Sequence, residues 1–293
     1  SKSEGDSTDA SWSGSSLHFP RIQGADVSGR IVAVGRHVNS SRLGERVLIE
    51  PCIREAQGKI LEQPWYFGSE CDGGFAEYTV VAARHAHQIN SKLSDVELAS
   101  FPCSYSTAEN LLTRTKVTAK DSVLVTGASG GVGSAVIQLV KARGAKAVGI
   151  TSPLKAASVL TLGAEQVVKR SDRVVQSLGK DSVDVVIDLV AGKQWPDLLD
   201  VLKPFGRYGV AGAIGGPHVE LDVRTLYLKD LSFYGCTVLG EGVFANLIKC
   251  IESNSISPLV AKTFPLNQLS DAQSYFETTQ YTGKLVIDLA LTE

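Results

Sequence analysis

The chain has 293 residues, 43% of them hydrophobic and 20% charged, with a net charge of −2; this balance describes a folded globular protein and excludes a disordered or fibrous one. Acids and bases are interspersed, so no basic stripe points to nucleic acid, and no apolar run reaches the ~18 residues of a membrane helix. At about 150 residues per domain, the length predicts two domains.

In chain order, the opening SKSEGDSTDASWSGSS is polar and Ser-rich and reads as loop or disorder, without the apolar stretch of a secretory signal. From Phe19 to about Ala82, the segments RIVAVG, ERVLIE and FAEYTVV predict strands, punctuated by Gly24, Gly29, Gly35, Gly44, Gly73 and Gly74. DVELAS and TAENLLTRT then carry a helical texture. The cysteines Cys52, Cys71, Cys103, Cys236 and Cys250 are odd in number and form no Cys-x-x-Cys, which predicts reduced thiols and a cytoplasmic protein.

After Ser122 the pattern becomes strand–helix alternation. SVLV is a buried strand, and Val132, Ala135, Val136, Leu139 and Val140 follow at helical spacing up to Gly144. AKAVGIT is a strand, KAASVLTLG a helix closed by Gly163, and VDVVIDLV (Val183 to Val190) a strand. WPDLLDVLKPFG predicts a helix closed by Gly206, with RYGVAGAI and LSFYGCTVL as further strands and GKLVIDL ending the chain on another. Near-continuous apolar strands between helices specify an α/β fold with a parallel sheet covered on both faces.

Between the first such strand and its helix stands TGASGGVG, with the spacing Ala128-x-Gly130-x-x-Gly133. Glycines at a strand-to-helix turn let a pyrophosphate approach bare backbone at a helix N-terminus. The strand before it and the amphipathic helix after it supply the context that the pattern needs. A purely structural turn is the competing reading. An acidic residue about 20 residues further on holds the ribose of a cofactor lacking a 2′-phosphate. No acid occurs from Ser122 to Ala164, while Ser152 and Lys155 end the second strand and Arg170 ends the third, which favours NADP(H). Lys155 and Arg170 could also be merely solvated charges.

The segments IQGADVSGRIVAVG, LGERV, DGGFAEY, PCSYSTAENLL, VLVTGASGGVGSAVIQLVKARGA and GKLVIDL together resemble the medium-chain dehydrogenase/reductase superfamily, and within it the zinc-independent quinone oxidoreductase-like branch. The resemblance runs from about Phe19 to the C-terminus. It implies a GroES-like β-rich domain over residues 1–105, with fewer strands than relatives have before IQGADVSG. A Rossmann doubly wound domain over residues 106–241 and a segment 242–293 returning to the first domain follow from it. It also implies cofactor contacts: Thr107 at the nicotinamide, Ser129, Gly130, Gly131 and Val132 at the pyrophosphate, and Ser152, Lys155 and Arg170 at the adenosine phosphate. Val190 and Ala191 fall beside the ribose, and Ala211, Gly212 and Ala213 near the nicotinamide. Such relatives commonly form homodimers through the last strand of the nucleotide domain, here LSFYGCTVL.

The zinc-dependent branch holds its metal with a Cys, a His-Glu pair and a second Cys. Cys103 matches the second Cys, but the His-Glu position reads Ala25-Asp26, so no metal is expected. His85 and His87 read as a surface pair, and Cys103 as a small buried residue beside the cofactor. Tyr66 and Tyr105 are read as packing aromatics, and no catalytic residue is assigned. The expected activity is NADPH-dependent hydride transfer to a quinone, an enone or another small-molecule carbonyl. A zinc-dependent alcohol dehydrogenase and a nucleotide-binding redox sensor with little turnover are the alternatives.

Overall fold

The computed structural model describes residues 18–278 and 281–291, and the Ser-rich opening stretch lies outside them. The chain divides into two units, Ser1–Cys103 with Pro258–Glu293, and Ser104–Ser257.

The first unit is β-rich. Strand β1 (Ser28–Arg30) pairs antiparallel with β2 (Arg46–Ile49), which pairs with β5 (Ala86–Gln88); β3 (Cys52–Ala56) and β4 (Lys59–Tyr66) form a hairpin. Val47, Ile49, Ile53, Phe67 and Ala86 alternate inward and share one core. Helix α1 (Asp95–Leu98) starts on a capping box, in which the Ser94 hydroxyl accepts from the Glu97 amide and Glu97 accepts from the Ser94 amide. The segment FAEYTVV forms no strand. Its Tyr78 and Val80 are 74% and 94% exposed, so the stretch is not drawn into the core of this unit.

His85 and His87 are not a surface pair. His85 is 1% exposed, and its Nε2 accepts from the backbone amides of Arg54 and Glu55 at 3.0 and 3.2 Å. Its Nδ1 stands 3.5 Å from Oε2 of the buried Glu50, which also contacts His87 Nε2 at 3.2 Å, and Glu50 Oε1 accepts from Arg54 at 2.5 Å. Burial pushes the Glu50 carboxyl upward, but hydrogen bonds from His85, His87 and Arg54 outweigh it and hold the group far below the ordinary 4.5. A depressed carboxylate stabilises the fold above its unfolded pKa, and that contribution drains away as the pH falls below it. Glu50→Gln is therefore expected to lower the melting temperature at neutral pH and to differ less from the wild type near about pH 3. A gap that stays constant across this range would assign the loss to packing instead.

The second unit is built on a six-stranded parallel sheet: β6 (Ser122–Val125), β7 (Lys146–Thr151), β8 (Gln166–Lys169), β9 (Val183–Asp188), β10 (Leu202–Val210) and β11 (Ser232–Gly235), in spatial order β11-β10-β9-β6-β7-β8. Helix α2 (Pro102–Arg114) leads into it. Helices α3 (Gly131–Ala142), α4 (Ala156–Leu162), α5 (Val174–Leu178), α6 (Trp195–Asp200) and α7 (Val223–Leu228) make the connections. Trp195 meets Tyr208 edge-on at 4.8 Å in a core with Leu124, Val186, Leu198 and Leu202. Helix α6 stops well short of Gly206. Lys203 precedes Pro204, which disfavours helix, and Leu202 pairs instead with Val183.

The chain returns to the first unit at Pro258 rather than at residue 242. Helix α8 (Val243–Glu252) buries Val243, Phe244, Leu247, Ile248 and Ile251 in the second unit. The Ser257 amide donates to Gln138 Oε1 on α3 at 2.7 Å, and the Ser257 carbonyl accepts from Tyr105 Oη at 2.8 Å. Tyr105 is thus a packed anchor, as expected. In the first unit, β12 (Val260–Phe264), α9 (Leu269–Glu277) and β13 (Lys284–Ile287) follow, with β12 and β13 pairing in parallel. Among the described residues, no helix is long and apolar enough to cross a membrane.

Candidate functional site

Strand β6 is followed outward by β7 and β8, after which the chain crosses to the other side of β6 and continues as β9, β10 and β11. The order reverses between β6 and β9, and in open α/β sheets ligands bind outside the carboxyl ends of the strands at such a point. The glycine-rich turn occupies that place.

Backbone geometry dictates its glycines. Gly127 has φ +59°, and a β-carbon on Gly133 would stand 2.2 Å from the Gly127 carbonyl oxygen. The Gly130 amide donates to that same oxygen at 3.0 Å, closing the turn. Helix α3 then starts at Gly131 with no side chain capping its N-terminus. Its first amides and the positive end of its dipole face the turn, which is the arrangement that receives a phosphate. Ala128, which replaces the usual first glycine, is fully buried. Its methyl group fits because the residue opposite is Gly149 of β7, where a β-carbon would come within 2.9 Å of it.

Ser129 lies between two parts of the crevice. The Thr151 hydroxyl, at the end of β7, donates to Ser129 Oγ at 2.9 Å. Ser152 comes next, then a short 3-10 turn over Pro153–Lys155. On the adjacent strand the Arg170 amide donates to the Thr151 carbonyl at 2.9 Å, so Ser152 and Arg170 follow directly on paired strand ends. Lys155 is partly buried and Arg170 exposed. The Arg170 carbonyl accepts from Gln194 Nε2 at 2.9 Å, which ties this end to the loop after β9.

Across the switch point, Val190 and Ala191 follow β9, and a β-carbon on Gly127 would stand 3.2 Å from Val190 Cγ2. Ala211 to Ala213 follow β10. Gly212 is packed against the Leu189 carbonyl, 2.6 Å from where its β-carbon would be. Ala211, Gly212 and Ala213 line an open hollow of about 490 Å³ with Gly235, Cys236, Thr237, Val238 and Arg114. Helix α2 holds the far wall, since Asn110 donates to the Val238 carbonyl and accepts from the Gly240 amide at 3.1 and 3.0 Å. Thr107 lies one turn before Asn110 on the same face of α2. The glycine cradle, the uncapped helix end and the run of small residues together fit a dinucleotide laid across the strand ends.

Three parts of this site escaped the sequence reading. The loop Gly235–Val238 carries no distinctive motif. Gly149 reads as an ordinary strand residue. Asp188 had a faint signal: it is the one acid at the end of an otherwise apolar buried strand half, and it proves to be fully buried.

In the first unit, Asp26 occupies the position where the zinc-dependent branch has a metal-adjacent acid. Its Oδ1 accepts from the Cys103 amide at 2.6 Å, and its Oδ2 lies 2.8 Å from Lys284 Nζ. Burial alone would lower the Lys284 pKa, but the Asp26 charge raises it above its ordinary value, so the group is an ammonium. Burial and the nearby Asp26 charge push the Cys103 thiol up to about 12, so it is no thiolate at neutral pH. An ammonium already satisfies Asp26, and the imidazole of the metal-binding pattern is replaced by the Ala25 methyl. Among the described residues, no three His, Cys, Asp or Glu side chains group so as to hold a metal ion.

Comparison with known proteins finds relatives of the same two-domain type. The family profile described as an alcohol dehydrogenase GroES-like domain matches residues 5–91, and that described as a zinc-binding dehydrogenase matches residues 131–253. Human quinone oxidoreductase is 28% identical over 283 residues, covering 92% of this chain and 80% of its own. The chloroplastic NADPH-dependent alkenal/one oxidoreductase of Arabidopsis thaliana is 32% identical over 276 residues, covering 92% of this chain and 64% of its own. A solved structure from Sinorhizobium meliloti 1021, described as a candidate alcohol dehydrogenase, superposes with a TM-score of 0.85 at 44% identity, covering 92% of this chain and 77% of that one.

Proposed function

The chain belongs to the medium-chain dehydrogenase/reductase superfamily of oxidoreductases, and from that membership we propose that it is an NADPH-dependent reductase which delivers hydride to a quinone, an enone or a related carbonyl without a metal ion. The observation that carries this reading is the adenosine end of the crevice. There Ser152, Lys155 and Arg170 gather at the ends of β7 and β8, and no carboxylate occurs from Ser122 to Ala164 to hold an unphosphorylated ribose or to repel a phosphate. The alkenal/one oxidoreductase among its relatives is named as NADPH-dependent.

Bound across the strand ends, the nicotinamide would supply the hydride, and this chain's residues would hold and orient it. The turn from Gly127 to Gly133 receives the diphosphate on backbone amides. Val190 and Ala191 flank the ribose, and Ala211 to Ala213 flank the nicotinamide. In the first unit, Asp26 is neutralised by Lys284 and Cys103 stays a thiol, so that corner offers neither an open metal position nor a nucleophile. Without a metal-bound Lewis acid, hydride transfer favours acceptors that delocalise the developing charge over a conjugated system.

The test is NADPH and NADH oxidation over a panel of quinones, enones and aldehydes, with metal analysis of protein purified without added zinc. Turnover with NADPH on conjugated acceptors and no stoichiometric metal is expected. A tightly held equivalent of zinc that activity requires would overturn the metal-free assignment. Tight NADPH binding without turnover on any acceptor would favour a sensor.

A further inference from the structure

Ala191 has φ +56° and ψ −147°, a region of backbone space essentially reserved for glycine. It is buried, and it sits where the crevice reading puts the ribose. A non-glycine residue persists there only when its surroundings over-determine the conformation.

Those surroundings converge on one side chain. Asp188 closes β9 at the switch point and is fully buried. Its Oδ1 accepts from the Val190 amide at 2.9 Å, from the Ala191 amide at 3.0 Å and from the Thr126 hydroxyl of the glycine-rich turn at 2.6 Å. Its Oδ2 accepts from Tyr208 Oη of β10 at 2.6 Å. The Thr126 hydroxyl in turn accepts from the Leu189 amide at 2.8 Å, and the Gly215 amide donates to the Val190 carbonyl at 2.7 Å. One carboxylate thus joins the ends of β6, β9 and β10, the three strands that frame the crevice.

We propose that Asp188 is a positioning residue of the dinucleotide crevice: its carboxylate holds Val190 and Ala191 in a backbone conformation that alanine resists, and so locks the ribose-side wall against the glycine-rich turn. The proposal rests on the crevice being a dinucleotide site. The carboxylate is fully buried and already holds four donors, so it acts through the backbone rather than on the cofactor itself. Bonds to a carboxylate are about twice as strong as neutral ones, so two amides sharing Oδ1 can offset the strain at one alanine.

The test uses the full chain. Asp188→Asn keeps the shape of the side chain but removes its charge, and it is expected to weaken NADPH about tenfold, the size of a one-residue backbone strain. Glycine adopts the Ala191 conformation without strain, so in the double variant Asp188→Asn/Ala191→Gly the loss should shrink to about threefold or less. Ala191→Gly alone should raise the melting temperature, because the strain it removes exceeds the chain entropy it adds. Amide hydrogen exchange without cofactor should speed up across Leu189–Gly192 in Asp188→Asn, and stay slow in Tyr208→Phe, which leaves the Oδ1 contacts in place. The proposal is overturned if Asp188→Asn costs the same affinity with and without Ala191→Gly, if Ala191→Gly lowers the melting temperature, or if Tyr208→Phe frees these amides. Should Asp188→Asn fail to fold, the other two single variants still decide. Should the wild type bind neither NADPH nor NADH, the cofactor reading falls by itself, while exchange and melting continue to test the hold of Asp188 on Ala191.

Discussion

Gly133→Ala is expected to weaken NADPH binding roughly 100-fold or more, the largest single effect of any one-atom change in the crevice. The added β-carbon would lie 2.2 Å from the Gly127 carbonyl oxygen and 2.8 Å from both Ala128 Cα and Gly127 C. All three are backbone atoms, so no flexible side chain can give way, and the turn itself must open. Opening it pulls apart the Gly130 amide and the Gly127 oxygen, now 3.0 Å apart, and moves the first amides of α3 away from the strand end. Lost stability must be separated from the lost site, and Gly179 serves as the control. It has φ +83° with nothing within 4 Å of its β-carbon position, and it caps α5 before the amino end of β9. Gly179→Ala should therefore cost backbone strain of about 1 kcal/mol without touching NADPH affinity. Isothermal titration of both variants decides, with near-ultraviolet circular dichroism confirming that each is folded. Gly133→Ala binding within about threefold of the wild type would place the phosphate elsewhere.

Much of the second unit is legible because local sequence dictates it. A strand such as Val183–Asp188, covered on both faces, is apolar through its middle at Val185, Val186 and Ile187, and Gly163, with φ +118° after α4, is a helix stop that few other residues can provide. The glycine-rich turn is legible for the same reason, since its backbone conformation excludes side chains. What stayed hidden depends on partners distant in sequence. Gly149 has meaning only because the Ala128 methyl lies opposite it. Asp188 draws Thr126 and Tyr208 from 62 and 20 positions away, and nothing in its own strand announces them. His85 is buried because Glu50, just past the end of β2, gives its ring a place to face. FAEYTVV has the composition of a strand, but composition supplies no partner. The return point at Pro258 is set by Gln138, which bonds Ser257 from 119 positions away.

Lys155→Glu is expected to separate the two cofactors. A charge-assisted contact to the 2′-phosphate is worth ~1–3 kcal/mol, and reversing the charge adds repulsion, so NADPH should weaken about 10- to 100-fold while NADH changes less than about threefold. The position suits that role: Lys155 ends the 3-10 turn that begins after Ser152, and its amide donates to the Ser152 carbonyl at 3.1 Å, so the turn backbone is fixed independently of the side chain. Arg170 follows the adjacent strand end and should show the same discrimination, in a smaller measure because it is the more exposed of the two. Fluorescence titration of both reduced cofactors measures the ratio directly. Equal losses for NADPH and NADH would mean that Lys155 supports the fold of the turn and reads no phosphate. Salt gives an independent check, because attraction between a partly exposed ammonium and a phosphate is screened over about 8 Å at physiological ionic strength and over about 3 Å at 1 M. The wild-type preference for NADPH should therefore fall as salt rises, and the Lys155→Glu variant should approach the wild type from below. A preference that high salt leaves untouched would belong to the shape of the pocket rather than to its charge.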